Sequence, residues 1–310
     1  MRLVFFGTGS FAVPALRRLY DSDHEISCVV TAAPKPSGRG RRLVSSPVAQ
    51  AADNLGVMVL APADPHAPEV IAKLVSLCPD VGVLVDYGVI LRSGLLRIPR
   101  LGVINIHPSL LPAYRGAAPI QRQIMNGESR SGVSLIALTD EVDAGDILAS
   151  VETNIGPDET YGEVAERLAV LGAGLLPSVL GKLELGTVHR CPQNPAMVTR
   201  APRISHADRV LDWARPACEV HNRVRALSPR PGAGTSFRGR RLLVLRTRLR
   251  SLPASSPPGS VLLEAKSMCV ACGEGVVELL EVKPEGGRVQ SAAEFCNGRR
   301  PQSGERLGEH

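Results

Sequence analysis

The chain has 310 residues, of which 44% are hydrophobic but only 3% aromatic, so it is long enough for two domains with mainly aliphatic cores. Its formal net charge of +6 is compatible with a polyanionic partner, although many soluble enzymes are equally basic. The 7 cysteines are odd in number and scattered, which excludes the disulfide framework of a small secreted protein. The chain starts with a strand pattern instead of a leader and has no apolar run of about 18 residues, so we expect a cytoplasmic protein without membrane association.

The first elements form a β-turn-α-β pattern, with strands over 2–6 and 24–30 and a helix over 13–20. The turn reads Gly7-x-Gly9-x-x-Ala12, which matches the fingerprint of dinucleotide-binding proteins. That fingerprint needs an acidic residue at the end of the second strand to bind the ribose, but the sequence there is Val29-Val-Thr-Ala32. Glycine also serves any tight turn between a strand and a helix, so nicotinamide binding remains a minor alternative.

A basic segment follows, with Lys35, Arg39, Arg41 and Arg42 among glycine and proline residues. It has no apolar periodicity and no interleaved aromatic residues, so it predicts neither a helix nor base stacking. Such a segment is either a solvated surface loop or a flexible arm that contacts phosphate groups.

Helices and strands then alternate as far as residue 185. The predicted helices are 46–55, 68–77, 91–98, 119–126 and 160–185, and the predicted strands are 57–60, 80–85, 103–106, 133–138 and 147–153. This alternation predicts an α/β fold with a mostly parallel sheet.

The strand over 103–106 leads into polar residues that point to chemistry. Asn105 and His107 are two apart, so they share one face at the carboxyl end of the strand, just before Pro108 ends the ladder. Ligands of open parallel sheets bind outside those ends, where an amide can hold a developing oxyanion and a histidine can move a proton. The proline- and glycine-rich segment 109–119 suits a pocket wall. A satisfied turn without catalytic function is the alternative interpretation.

Three strand ends are expected to converge if the sheet is in order, those at Tyr87-Gly88, at Asn105-x-His107 and at Asp143. A carboxylate near the histidine would orient its ring. Asp143 with Asp146 also allows a metal site, but a magnesium site of carboxylates usually needs phosphate ligands beside it. Cys269-Val-Ala-Cys272 has metal-ligand spacing without a second pair, and its strand-like surroundings favour buried thiols. We therefore predict no metal.

The pattern lapses over 189–204, which we interpret as a linker between a domain at 1–188 and a domain at 205–310. In the second domain, 207–227 is typical of a pair of helices that includes Trp213. The strands predicted after it are 236–249, 259–263, 268–272 and 276–282, whose glycine- and proline-containing turns indicate a small barrel. Its arginines, at positions 238, 240, 241, 246, 248 and 250, either cover a solvated face or contact phosphate groups.

With these motifs, the chain resembles the methionyl-tRNA formyltransferase family. The most specific match combines Asn105-x-His107 with Ser109-Leu-Leu-Pro112 and Arg115-Gly-Ala-Ala-Pro119. The resemblance covers nearly the whole chain, and its other matching segments are 7–8, 36–43, 46–48, 87–91, 101–107, 142–147, 212–213 and 294–299.

The resemblance implies a Rossmann-like formyltransferase domain and a C-terminal domain of OB-fold type. The reaction that it implies moves a formyl group from 10-formyltetrahydrofolate to the amino group of methionyl initiator tRNA, without a covalent enzyme intermediate. The catalytic residues implied are Asn105, His107 and Asp143. The residues implied to contact folate are Tyr87, Gly88, Ser109, Leu110, Leu111 and Pro112. The residues implied to engage the acceptor end of the tRNA are Lys35, Arg39, Arg41 and Arg42, and a monomer is expected.

The chain departs from the family pattern at several positions. Gly9 stands where the family usually has proline, and Asp86 replaces a small apolar residue, which adds a carboxylate near the implied folate site. Rival functions are formyl transfer or hydrolysis on a small substrate, such as glycinamide ribonucleotide or formylfolate, and tRNA binding without catalysis. The small-substrate relatives lack a basic segment together with a basic β-rich C-terminal region, and the intact Asn105, His107 and Asp143 argue against lost catalysis.

Overall fold

The computed structural model describes residues 1–37, 42–252, 256–264 and 267–309. The chain packs into two compact units that alternate along the sequence. The first unit consists of Met1–Gly116, Ser131–Thr153 and Ala165–Arg200, and the second of Ala117–Arg130, Asn154–Val164 and Ala201–His310. The domains predicted at 1–188 and 205–310, with a linker at 189–204, are contiguous segments, and their boundaries stay a prediction.

The regular elements are numbered in chain order. The strands are β1 (Arg2–Gly7), β2 (Glu25–Val30), β3 (Lys35–Ser37), β4 (Arg42–Val44), β5 (Val59–Leu60), β6 (Val81–Val85), β7 (Val103–His107), β8 (Arg130–Ala137), β9 (Ile147–Asn154), β10 (Ala233–Phe237), β11 (Arg240–Arg250), β12 (Val261–Glu264), β13 (Ser267–Ala271), β14 (Val276–Pro284) and β15 (Gln290–Ser291). The helices are α1 (Val13–Tyr20), α2 (Pro47–Asn54), α3 (Pro68–Ser76), α4 (Ser93–Leu96), α5 (Pro119–Met125), α6 (Tyr161–Glu184), α7 (Ala217–Leu227) and α8 (Ala292–Arg299).

The large sheet has the strand order β5-β2-β1-β6-β7-β8-β9. Its strands from β5 to β7 pair in parallel, and β8 pairs with β7 in the antiparallel direction. This arrangement confirms the predicted α/β fold with a mostly parallel sheet. The chain passes from β1 to β2 on one side and later reaches β6 on the other, so the topological switch point lies between β1 and β6. Ligands of such sheets bind outside the carboxyl ends of the strands at that point.

Local signals in the sequence explain where the helices of the first unit begin. Proline occupies the first turn of α1, α2 and α3, where its missing N–H leaves no hydrogen bond unmade. The hydroxyl of Ser46 accepts a hydrogen bond from the Ala49 amide at 3.0 Å and caps α2. α4 is a single turn, shorter than the predicted 91–98, because Gly94 weakens the helix and Pro99 follows it.

Within the described ranges, α6 is the one helix long and apolar enough, by length and composition alone, to cross a membrane. A core helix of a soluble protein has the same composition. The side chains of Leu168, Leu176 and Leu180 on α6 are fully buried against other parts of the chain. Packing inside the protein therefore accounts for part of the apolar character of α6, since 44% of its apolar window is buried.

The second unit contains an antiparallel sheet of order β10-β11-β14-β13-β12, with β15 paired to β14. Its core includes Trp213, Phe237 and Phe295, and the rings of the two phenylalanines meet edge to face with centroids 5.4 Å apart. The antiparallel sheet is consistent with the small barrel predicted from the sequence.

Two predictions for the second unit are wrong in detail. The segment 207–227 is not a pair of helices, because only α7 is an α-helix and Trp213 lies in the irregular segment before it. Pro216, immediately before α7, explains the break, since proline disfavours helical backbone in the residue before it. The strand predicted at 236–249 is a hairpin of β10 and β11, with Arg238 and Gly239 both at positive φ in a two-residue turn.

The basic segment has more structure than the predicted loop, because β3 and β4 form a two-stranded antiparallel ribbon. Lys35 pairs with Val44, and the backbone of Ser37 pairs with that of Arg42. Arg39 and Arg41, which were predicted to engage tRNA, lie outside the described residues.

Candidate active site

Asn105 and His107 lie where the sequence predicts, at the carboxyl end of β7. This strand is flanked by β6 and β8, so its end is held on both sides by the sheet. The exposed fractions of the two residues are 6% and 4%. Both polar side chains are therefore shielded from bulk water, where their hydrogen bonds are stronger than in solvent.

Asp143 completes the cluster from the loop between β8 and β9. Its Oδ1 accepts a hydrogen bond from Asn105 Nδ2 at 3.4 Å, and its Oδ2 lies 3.6 Å from His107 Nδ1. The Gly116 amide donates to the same Oδ2 at 2.9 Å. The structure thus brings together an amide, an imidazole and a carboxylate, which the sequence predicted to converge from different strand ends.

The two nitrogens of His107 have different partners. Nε2 lies 3.0 Å from the backbone carbonyl of Tyr114, and a carbonyl only accepts, so this nitrogen carries a proton. Nδ1 faces the carboxylate of Asp143 and is the nitrogen that can gain or lose a proton beside it. The pair has the arrangement of a general base with an orienting carboxylate.

The segment predicted as a folate contact is fixed against β8. Ser109 is fully buried, and its hydroxyl donates to the carbonyl of Ala113 at 2.6 Å. Ser134 donates to the Ser109 carbonyl at 2.8 Å and accepts from the Leu111 amide at 3.1 Å. Leu111 is also buried, whereas Leu110 and Pro112 are half-buried. This segment is a rigid wall, and its contact with a ligand stays a prediction.

Tyr87 and Gly88 follow the end of β6. Tyr87 is buried and packs edge to face on Phe6, with ring centroids 5.8 Å apart. Burial, reinforced by Asp64, raises the pKa of the Tyr87 phenol to about 12, so it stays neutral. The exposed apolar residues here are Val89 and Ile90, the latter 66% exposed. The sequence interpretation included Val89 and Ile90 in the family-matching segment 87–91, but within it assigned a folate contact only to Tyr87 and Gly88.

The backbone amides at the start of the turn after β1 form hydrogen bonds within the protein, so the turn does not present them to an anion. The amides of Thr8 and Gly9 donate to the Asp86 carbonyl at 3.0 Å and 3.3 Å. Asp86 is exposed as a residue, but its carboxyl group packs against protein atoms, and this burial raises its pKa to about 6. A carboxyl group beside the turn repels a pyrophosphate when ionised, which disfavours the nicotinamide alternative.

The arginines of the barrel divide into paired and unpaired groups. Arg238 pairs with Glu305, Arg246 with Glu163 and Glu281, and Arg250 with Glu264 and Glu278. No carboxylate of the described residues pairs with Arg240, Arg241, Arg248 or Arg299.

A cavity of about 120 Å³ in the second unit is lined by three of these unpaired arginines, Arg240, Arg241 and Arg299. Phe237 and Phe295 contribute apolar walls to it. Both rings are buried in the core, with 6% and 2% of their surfaces exposed, and Glu285 also lines the cavity. The cavity therefore offers cationic groups suited to a phosphate, but not rings for base stacking. Arg299 lies on the unpredicted helix α8, and the sequence interpretation named it only as the last residue of the family-matching segment 294–299.

The cysteine pair and the carboxylates give no metal cluster. No group of three or more His, Cys, Asp or Glu side chains in the described part of the chain is arranged to hold a metal ion. Cys269 and Cys272 are buried, as predicted, and burial raises the pKa of their thiols to about 11 and about 12. The expectation of a metal-free protein stays a prediction.

Comparisons with known proteins cover the whole chain. A family model described as formyl transferase matches residues 1–180, and one described as formyl transferase, C-terminal domain, matches residues 203–300. The methionyl-tRNA formyltransferase of Solibacter usitatus is 44% identical over 309 residues, covering 100% of this chain and 99% of that protein. That of Roseiflexus castenholzii is 41% identical over 310 residues and covers 99% of each.

Solved structures give the same fold at lower identity. HypX from Aquifex aeolicus in complex with tetrahydrofolic acid matches with a TM-score of 0.66 and 17% identity, over 98% of this chain. This chain spans 48%, or about half, of HypX. Glycinamide ribonucleotide transformylase 1 from Symbiobacterium toebii matches with a TM-score of 0.51 and 18% identity, over 63% of this chain and 94% of that one. At these identities the likeness shows the formyltransferase fold alone.

Proposed function

We infer that this chain, which belongs to the methionyl-tRNA formyltransferase family, transfers a formyl group from 10-formyltetrahydrofolate to the amino group of methionyl initiator tRNA. The observation that carries this function is the meeting of Asn105, His107 and Asp143 at one strand end. The relatives of the same family match the chain from end to end, so the inference applies to both units.

In the chemistry that we propose, the neutral amine of the methionyl group attacks the formyl carbon and forms the new C–N bond. The formyl oxygen then becomes an oxyanion. Asn105 directs one amide proton at Asp143, and its second amide proton is placed to donate to this oxygen. One such donor typically contributes about 10²–10³ in rate, or roughly 3–4 kcal/mol.

His107 and Asp143 handle the proton that the attacking amine must lose. The carboxylate and Nδ1 of His107 lie side by side, so either accepts that proton directly or through a water. Collapse of the tetrahedral intermediate breaks the bond to N10 of the folate, which receives a proton as it leaves. His107 also holds the oxyanion through Nε2 when the substrate oxygen replaces the Tyr114 carbonyl.

The folate co-substrate is proposed to lie outside the ends of β6 and β7. The wall at Ser109, Leu110, Leu111 and Pro112 and the turn at Tyr87 and Gly88 border that position in the first unit. Exposed Val89 and Ile90 add an apolar surface suited to a pterin ring.

The tRNA is proposed to contact two basic regions. The basic segment with Lys35, Arg39, Arg41 and Arg42 is the proposed arm for the acceptor end. The cavity beside Arg240, Arg241 and Arg299 is the proposed phosphate-binding region of the OB-fold-like C-terminal domain at 205–310. We also propose that the protein acts as a monomer in the cytoplasm and has no membrane partner.

The direct test incubates the purified protein with charged initiator tRNA and 10-formyltetrahydrofolate and measures formylmethionine after base hydrolysis of the tRNA ester. Formylmethionine that depends on both substrates supports the function, and its absence contradicts it. Omitting tRNA detects hydrolysis of formylfolate, and replacing tRNA with glycinamide ribonucleotide detects the small-substrate rival. The glycinamide ribonucleotide enzyme matches only 63% of this chain, which disfavours that rival.

A further inference from the structure

The side chain of Gln193 forms two hydrogen bonds with the backbone of the turn that contains Asp143. Gln193 Nε2 donates to the Asp143 carbonyl at 2.8 Å and to the Gly145 carbonyl at 2.7 Å. Asp143 has a φ of 54°, in the left-handed region that residues with a side chain rarely adopt. The two hydrogen bonds therefore brace a backbone conformation that is unfavourable by itself.

Arg115 fixes the orientation of that glutamine. Its Nε and Nη2 lie 3.0 Å and 2.7 Å from Gln193 Oε1, so both guanidinium donors converge on one acceptor. Because arginine has no acceptor, the oxygen of the amide must face it and the nitrogen must face the two carbonyls. Arg115 is only 6% exposed and has a further contact with Glu141 at 3.4 Å.

The turn held by Gln193 is tightly packed at Gly145. A Cβ on Gly145 would lie 1.6 Å from the Ala137 carbonyl, so the turn passes directly against the end of β8. The side chain of Asp143 meets Asn105 and His107 only because its backbone is presented from this close turn.

We propose that Gln193, oriented by Arg115, is a positioning residue that holds the 143–145 turn so that the Asp143 carboxylate stays against Asn105 and His107. The effect of Gln193 on turnover rests on the proposed formyl transfer. The effect of Gln193 on the position of Asp143 is independent of that function. Gln193 lies within the segment predicted as a linker at 189–204, where no pattern indicated a role in the site.

The first test replaces Gln193 with methionine, which keeps the volume and removes the hydrogen bonds. We expect kcat to fall about 10- to 100-fold, as displacement of a reacting group by about 1 Å typically does, with KM for tRNA changed less than about threefold. The matched control is Asn194→Ala, which removes a side-chain cap on the Ala196 amide in the same segment without touching the turn. An equal loss in the control, or unchanged kcat in Gln193→Met, overturns the proposal.

A double-mutant cycle separates positioning from general loosening. In an Asp143→Ala background, Gln193→Met should lower the residual rate less than about threefold, because Gln193 acts through Asp143. A loss as large as in the parent chain shows that Gln193 acts elsewhere and overturns the proposal.

The ¹⁵N chemical shifts of the His107 ring supply a readout that does not need turnover. Gln193→Met should change the Nδ1 signal and its pH dependence, because the neighbouring carboxylate moves. Asn194→Ala should leave both unchanged. Failure of the parent protein to formylate tRNA would contradict the proposed function alone, whereas an unaltered His107 signal in Gln193→Met contradicts the positioning role.

Discussion

The Oδ2 atom of Asp86 occupies the space that a side chain on Gly9 would need, since an ideal Cβ on Gly9 would lie 1.8 Å from it. Gly9 has a φ of −78° and a ψ of 171°, so its backbone would accept any residue. The need for glycine therefore comes from Asp86 alone. Both positions were expected from the sequence to depart from the family pattern, and this contact couples them.

We expect Gly9→Ala to destabilise the protein by about 1–3 kcal/mol, the usual effect of overpacking. The loss should largely disappear in an Asp86→Gly background, where glycine suits the φ of 44° at position 86 and the carboxylate is gone. Chemical denaturation of the four proteins of this cycle gives the coupling energy. Additive effects of the two substitutions would contradict the proposed coupling.

Asp86→Asn should stabilise the protein above pH 6 and have little effect near pH 4. Burial raises the pKa of the Asp86 carboxyl from 3.8 to about 6, so the folded state binds this proton more tightly than the unfolded state. Stability consequently falls as the pH rises from 3.8 to about 6, and the unfavourable contribution is complete above that range. Because the residue is exposed, the gain is discounted to on the order of 1 kcal/mol. Thermal unfolding at pH 4.5 and pH 8 checks this, and an equal change in Tm at both pH values would refute it.

Asn105→Ala and His107→Ala should each lower kcat by at least about 10²-fold while the fold survives. The expected reason is the loss of an oxyanion donor in the first variant and of the proton-transfer group in the second. Single-turnover formylation with saturating folate measures the chemical step, and circular dichroism checks the fold. Near-normal formylation by either variant would remove that residue from the mechanism.

Removing the charges of Arg240 and Arg241 should weaken tRNA binding and reduce its salt dependence. Loss of two phosphate contacts lowers the magnitude of the slope of log K against log salt by about 1.4–1.8, since each contact contributes about 0.7–0.9. The matched control is the pair Arg17→Ala and Arg18→Ala, two exposed arginines on α1 in the first unit. A slope change of the same size in the control would show a general charge effect instead of a specific contact.

Arg41→Ala with Arg42→Ala should raise KM for tRNA and flatten its salt dependence, because the proposed arm loses two cations. Folate binding should be unchanged, since the folate is proposed to contact other residues. Steady-state kinetics at several salt concentrations and a fluorescence titration with folate measure the two effects. Unaltered kinetics with tRNA would exclude the arm.

Much of the first unit could be predicted because its signals are local. The buried strands are short apolar runs, and proline with Ser46 sets the beginning of α2. The alternation of these elements predicts a mostly parallel sheet, and the two-residue spacing of Asn105 and His107 puts them on one face. The capping box of Ser291 and Glu294, which begins the unpredicted α8, was also visible in the sequence.

The secondary-structure prediction failed where a turn interrupts a run that resembles a single strand or helix. The run at 236–249 has strand propensity throughout, but Arg238 and Gly239 fold it into a hairpin, and only Gly239 marks that turn in the sequence. The tryptophan segment contains helix-forming residues, yet Pro216 and the packing of Trp213 in the core keep it irregular.

The sequence by itself determined the alternation of strands and helices in most of the first unit, the face shared by Asn105 and His107, and the family. These depend on side-chain periodicity and on residues close together in the chain. Only the tertiary structure shows that Asp143 contacts them from a turn in which its own φ is positive, and that Gln193 and Arg115 hold this turn by hydrogen bonds. It also shows that Asp86 fills the space beside Gly9. Each of these contacts joins residues tens of positions apart, and such contacts form only when the folded backbone brings the segments within hydrogen-bonding or van der Waals distance.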